Sequence, residues 1–247
     1  MNKESLIEVF NDTIQRIENY EYNPDLQSFK LKLKKIKEAD VIYSFNTCNV
    51  TVVNEDCIEV ARKLSNKGKT CVLNMASSKR PGGGVRNGSM AQEEELARRS
   101  NLVYGLPYEY YPLDTDEYIY TKDVTFFKDK YYNITSGFDC DVITMAAVNL
   151  NRGHIDSPIN VTPKDYEQIM YQKIDNMLFS PQLYGCHNLV LSAFGCGVFK
   201  NDPNFVASLF NKIIEKHSSS YDTICFAILN DRNSVGSNFE VFKNILT

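Results

Sequence analysis

Four short, almost unbroken apolar runs constrain the architecture of this chain: CVLNM (71–75), VITMAAV (142–148), LVLSAF (189–194) and TICFAIL (223–229). A strand with one solvated face alternates apolar and polar residues, whereas a strand that stays apolar along its length is buried on both faces. Helical patterns separate these runs, at 56–68 (DCIEVARKLSNKG, closing at Gly68), 91–104, 164–179, 203–217 and 238–246. Strands alternating with helices predict an α/β fold whose sheet carries helices on both sides. VIYSF (41–45) and VTVV (50–53) read as two further strands.

The chain's start reads differently. Leu6, Val9, Phe10, Ile14 and Ile17 recur at helical spacing until Asn23-Pro24 breaks the pattern. A second helix is expected from Leu26 to Lys37, with Phe29, Leu33 and Ile36 on one side and lysines on the other. Residues 1–40 are therefore expected to be a helical extension, and 41–247 the main domain. The stretch 105–139, rich in tyrosine, phenylalanine and acidic residues, has no clean period. It reads as a long excursion with a small hairpin, packed over one edge of the sheet.

Composition excludes several function classes. A net charge of −4 gives no basic field for gripping duplex nucleic acid, so a polyanionic ligand would have to be held by a local set of backbone amides. The seven cysteines (Cys48, Cys57, Cys71, Cys140, Cys186, Cys196, Cys225) are odd in number, form no C-x-x-C pair and sit mostly in apolar runs. They read as buried thiols of a reducing compartment, cytoplasmic or nuclear. His154, His187 and His217 lack metal-ligand spacing, so no metal is expected. No apolar run approaches the roughly 20 residues that span a bilayer. The expectation is a soluble, monomeric protein with no membrane partner.

Two segments carry chemistry. In NMASSKRPGGGVRNGSMAQEEELARRSNLVYG (74–105), a strand ends near Met75, the loop Pro81-Gly82-Gly83-Gly84 follows, and a helix starts close to Gln92. Ser89 and Gln92 have capping-box spacing, and Glu93, Glu94 and Glu95 suit the positive end of a helix dipole. Capping accounts for the acidic run but not for three glycines, whose ordering costs entropy and whose use is close backbone approach. In LSAFGCGVFKNDP (191–203), a strand runs into Gly195-Cys196-Gly197 and a helix begins near Pro203, an arrangement that presents amides to phosphates. The third glycine of a dinucleotide fingerprint is missing. Loops in open α/β folds bind ligands at the carboxyl ends of strands, so the two segments suggest a cleft with two glycine-rich walls.

Gly82-Gly83-Gly84, seven residues, then Gln92-Glu93-Glu94 resembles the signature of the poly(ADP-ribose) glycohydrolases of the compact microbial type, with VLNMAS, VITMAAVN and GCGVFKNDP in supporting positions. The resemblance implies a macrodomain-like three-layer α/β/α fold with a mixed sheet. It implies Glu94 as the catalytic acid and base, and Glu93 as the residue that holds a ribose hydroxyl. Gly82, Gly83, Gly84, Ser77, Val85 and Gln92 would shape the pocket of the terminal ribose. Gly195, Cys196, Gly197 and Val198 would bind the diphosphate, Phe199 would pack on the distal ribose and adenine, and Glu55 would meet the adenine edge. Glu95 follows the motif and should point about 100° away from Glu94.

The activity implied is hydrolysis of ribose–ribose O-glycosidic bonds in poly(ADP-ribose), mainly from chain ends, without a cofactor. Glycosidases ordinarily use two carboxylates. Here Glu94 alone would protonate the departing oxygen and then deprotonate water, with the neighbouring diphosphate stabilising the cation. The partner would be the polymer or an ADP-ribosylated protein. A mono-ADP-ribosyl hydrolase would use the same pocket, and a non-catalytic ADP-ribose reader would keep the glycine loops and lose the acid.

Overall fold

In the computed structural model, which describes residues 1–42, 47–151, 153, 162–230 and 238–247, the apolar runs become neighbouring strands of one seven-stranded mixed sheet. The strands are β1 (Ser28–Lys32), β2 (Asn49–Val53), β3 (Thr70–Met75), β4 (Glu117–Lys128), β5 (Ile134–Met145), β6 (Asn188–Leu191) and β7 (Thr223–Ala227). Their order is β1-β4-β5-β3-β6-β7-β2. Pairing is parallel from β5 through β3, β6 and β7 to β2, and antiparallel where β4 meets β5 and β1. The described helices are α1 (Lys3–Glu18), α2 (Cys57–Ser65), α3 (Gln92–Arg99), α4 (Pro163–Leu183), α5 (Pro203–His217) and α6 (Asn238–Leu246).

The continuous apolar strands are buried on both faces. Cys71 and Leu73 of β3, Leu189 and Leu191 of β6, and Ile224 and Phe226 of β7 join one core with α4, α5 and α6. The residues between them, Val72, Val190 and Cys225, join a second core with α2 and α3. A period-2 backbone thus feeds two helical layers. Helix starts follow local chemistry. Asp56, Thr162 and Asp202 accept hydrogen bonds from first-turn amides of α2, α4 and α5, and Pro163 and Pro203 occupy the first turn, where no amide is needed. Among the described residues no helix is long and apolar enough to cross a membrane.

Three sequence expectations need correction. The stretch from Leu26 to Lys37 is not a helix, because Phe29, Leu31 and Leu33 alternate with Lys30, Lys32 and Lys34, and this period of two makes β1, paired with β4 at the sheet edge. The excursion at 105–139 lies over the sheet only in its first half, where Leu106 and Leu113 join the second core. Its second half is β4 and the start of β5, two 12-residue strands within it. Val41 and Ile42, expected to open a strand, are not in one, and residues 43–46 lie outside the described set.

Helix α1 is firmly seated. Buried Lys128 of β4 reaches Asp12 Oδ2 at 2.7 Å and Val9 O at 2.8 Å. Buried Arg98 of α3 donates to Leu6 O at 3.3 Å, and Lys3 packs on Gly88, whose left-handed backbone (φ +70°) leaves no room for a Cβ against Lys3 O. The first helix therefore braces the loop that carries the triple glycine.

Candidate active site

The loop Gly82–Gly84 leaves the carboxyl end of β3, and Gly195–Val198 leaves the carboxyl end of its parallel neighbour β6. The loop after β5, on the other side of β3, is laced to the second of these. Leu150 N donates to Phe199 O (2.8 Å) and Asn151 Nδ2 to Val198 O (3.0 Å). Three adjacent strand ends thus converge on one place.

The first turn of α3 is unusual in what its side chains do. The N-cap is Ala91, which makes no side-chain cap, so the capping box expected from Ser89 is absent. Instead the three residues that follow reach back to the loop. Gln92 Oε1 accepts from Met75 N (2.9 Å), Glu93 Oε2 from Ser77 N (2.7 Å) and Glu94 Oε1 from Gly84 N (2.8 Å). Gln92 Nε2 also donates to Leu73 O, so its amide is spent on fastening α3 to β3. Arg98 adds a bond to Ser89 O and a 2.9 Å ion pair with Glu95.

This geometry explains the triple glycine. A Cβ on Gly83 would sit 2.6 Å from Glu94 Oε1 and 2.8 Å from Glu93 Oε2, and one on Gly84 would collide with Ser89 Oγ. Gly82 and Gly83 also have φ of +72° and +59°, conformations that side chains resist. The glycines let the main chain press directly on both carboxyl groups.

Both glutamates are buried, at 4% and 7% exposure, yet each keeps one oxygen, Glu93 Oε1 and Glu94 Oε2, without a hydrogen-bond partner among the described residues. Native proteins rarely leave a buried carboxyl oxygen unsatisfied, and exceptions cluster where a ligand binds. Burial raises the Glu93 carboxyl well above the usual range. The Ser77 amide opposes that rise and the neighbouring Glu94 charge adds to it.

A stability consequence follows. Below about pH 4 both folded and unfolded Glu93 carry the proton, and above it the unfolded carboxyl ionises first. Wild-type stability should therefore fall as pH rises through that window, until the folded carboxyl ionises too. Glu93→Gln still accepts from Ser77 N but cannot ionise. Its melting temperature should exceed that of wild type by a margin that widens with pH, roughly 3–5 °C for each unit separating the two carboxyls. Thermal melts from pH 4 to 8 check this, and a constant margin would contradict it.

The second loop is held by a residue that sequence reasoning missed. Asn201 Nδ2 donates to Val148 O and Gly195 O (2.9 Å each), and its Oδ1 accepts from Tyr166 OH (2.8 Å). Gly195 is fixed by packing, since at φ +75° a Cβ would overlap Ala147 and Asn201. Cys196 N is already donated to Ala193 O (3.0 Å), whereas the exposed Gly197 and Val198 have amides that donate to no described residue. Burial pushes the Cys196 thiol up to about 12. Phe199 is half-buried against the core.

The remaining candidates are placed as follows. Val85 is 1% exposed and packs with Phe10 and Ala97, its side chain lying against Gly82 of the loop. Ser77 Oγ accepts from Lys79 N (3.1 Å) while its own amide holds Glu93. Glu55 follows β2, two strands beyond β6, and pairs with Lys63. Glu95 turns away from the loop and accepts from Tyr132 OH at 3.0 Å. Among the described residues no three His, Cys, Asp or Glu side chains group as a metal site. His217 is buried between Asp175 and Gln182, and His154 lies outside the described residues.

Comparison with known proteins supplies the context. Residues 10–129 match the family described as "Microbial-type PARG, catalytic domain". No curated protein sequence matches the chain. The structure is similar to poly(ADP-ribose) glycohydrolase from Thermomonospora curvata, at a TM-score of 0.83 and 23% identity over 98% of this chain and 99% of that one. It is similar to the same organism's glycohydrolase bound to the inhibitor ADP-HPD (0.80, 22%, 98% and 99%). The glycohydrolase from Deinococcus radiodurans in complex with ADP-ribose gives 0.72 and 26% identity over 99% of this chain and 90% of that one. The family match covers the triple-glycine loop and both glutamates, and nearly the whole fold is shared with solved poly(ADP-ribose) glycohydrolases, so residues 10–129 are similar to the microbial-type catalytic domain of that family.

Proposed function

We propose that this chain hydrolyses the ribose–ribose O-glycosidic bonds of poly(ADP-ribose), with Glu94 as general acid and base. One observation carries the reading: Glu94 is tethered through Oε1 to the Gly84 amide and presents a buried, unpartnered Oε2 beside an equally placed Glu93. Glu94 Oε2 gives its proton to the departing ribose oxygen as the C1–O bond breaks, and then takes a proton from the water whose oxygen bonds to C1. The Gly84 tether fixes the carboxyl through both steps, which is the positioning such catalysis needs. Glu93, inclined to stay protonated, donates to a ribose hydroxyl, and the amides of Gly197 and Val198 receive the diphosphate. Residues 41–247 carry these groups, while residues 1–40 brace them through α1. The seven free cysteines, most of them buried, fit an intracellular monomer that meets the polymer or an ADP-ribosylated protein.

Cleavage is expected mainly from chain ends. What supports this reading is Phe199, half-buried and pinned through its carbonyl to Leu150 N, which the family resemblance puts on the distal ribose, where an internal chain would have to continue. A time course on length-defined polymer, alongside a mono-ADP-ribosylated protein, tests the reading. Free ADP-ribose should appear from the first time points with little oligomer. Early short oligomers would refute the end preference, and release from the mono-modified protein alone would refute the polymer assignment.

A further inference from the structure

Tyr111 lies in the segment between α3 and β4, and its ring packs on the core formed with α2 and α3. Two residues on, Leu113 N donates to Ser78 O at 2.7 Å, which lays the segment on the loop leaving β3, next to the Ser77 amide that holds Glu93. The Tyr111 hydroxyl is buried and has no hydrogen-bond partner among the described residues. Burial, with the charge of nearby Glu93, pushes the phenol above its ordinary range, so the group is a neutral hydroxyl that can both donate and accept. Asn74 of β3, its Nδ2 on Thr144 Oγ1 (3.2 Å), has an equally orphaned Oδ1. A buried hydroxyl without a partner destabilises a fold, and phenylalanine would fill the same space without that cost.

We propose that Tyr111 is a specificity residue: its hydroxyl binds the vicinal diol of the terminal ribose, sharing with Glu93 Oε1 the sugar hydroxyl that satisfies both. The inference rests on the glycohydrolase reading. A sugar hydroxyl donates one hydrogen bond and accepts others, so one such group satisfies an orphaned carboxyl oxygen and an orphaned phenol together. A site built to hydrogen-bond a hydroxyl rejects ligands that lack it, because its own polar atoms then stay unpaired.

Tyr111→Phe tests this with three readouts. Without ligand, its melting temperature should equal or exceed that of wild type. Its affinity for ADP-ribose should fall by roughly three- to tenfold, the range for one neutral hydrogen bond. Its affinity for ADP, which lacks the terminal ribose, should not change. A lower unliganded melting temperature would show that the hydroxyl has a structural partner, and equal losses for both ligands would show a packing defect. Either outcome, or unchanged ADP-ribose affinity in a variant of an active wild type, overturns the role of Tyr111. A wild type that neither binds ADP-ribose nor cleaves polymer overturns the glycohydrolase reading as well.

Discussion

Glu94→Gln is expected to lower turnover on poly(ADP-ribose) by at least roughly 10²-fold, the lower range of what a positioned general acid and base contributes. The substitution keeps the size of the side chain, and a glutamine carbonyl can still accept from Gly84 N. What disappears is the transferable proton on the atom now occupied by Oε2. Binding of ADP-ribose should change little, because the proposed reading assigns the diphosphate and adenosine to other groups. Initial rates and a binding isotherm separate the two effects. Glu95→Gln is the control. Its carboxyl faces Arg98 and Tyr132, so its activity should stay close to wild type. Near-normal turnover in Glu94→Gln would remove Glu94 from the chemistry.

The second large effect is expected at Gly83, where a single methyl group should disable both glutamates. In Gly83→Ala the new Cβ would lie 2.6 Å from Glu94 Oε1 and 2.8 Å from Glu93 Oε2 on a backbone at φ +59°. The left-handed conformation costs an alanine about 1–2 kcal/mol. The overlap then forces the carboxyls or the loop to move, and displacing a catalytic group by about 1 Å costs roughly 10²-fold in rate. Gly185→Ala isolates the strain, for it has φ +73° with nothing within 4 Å of the added Cβ. Both variants should lose a few degrees of melting temperature, roughly 2–4 °C per kcal/mol. Only Gly83→Ala should lose activity, and equal activities in the two would contradict the clamp.

Much of this was legible in residue patterns. The unbroken apolar runs announced a sheet buried on both sides, and the glycine loops announced the place where the ends of β3 and β6 come together. The segment at Phe29–Lys34 was misread because helical spacing can be picked out of Phe29, Leu33 and Ile36, although strict alternation wins once β4 offers an edge to pair with. A hairpin is expected within 105–139, but its full length as β4 and β5 is masked by a register shift between Thr121 and Val124, where Asp123 adopts φ +52° and the alternation changes face. The acidic first turn of α3 carried two readings, capping or chemistry. The fold resolves them with contacts that no local pattern encodes, since Gln92, Glu93 and Glu94 bond to amides 10 to 17 positions earlier. Asn201 and Tyr111 gave no signal at all, because a loop asparagine and a tyrosine among tyrosines become informative only through what they face.

The structure of the Glu94→Gln protein with bound ADP-ribose tests the central claim most directly. The account predicts the terminal ribose under the Gly82–Gly84 loop, with its C1 oxygen within hydrogen-bond reach of the side-chain atom that replaces Oε2. The diphosphate should lie on the amides of Gly197 and Val198. A terminal ribose placed beyond reach of residue 94, or a ligand seated away from the ends of β3 and β6, would contradict it.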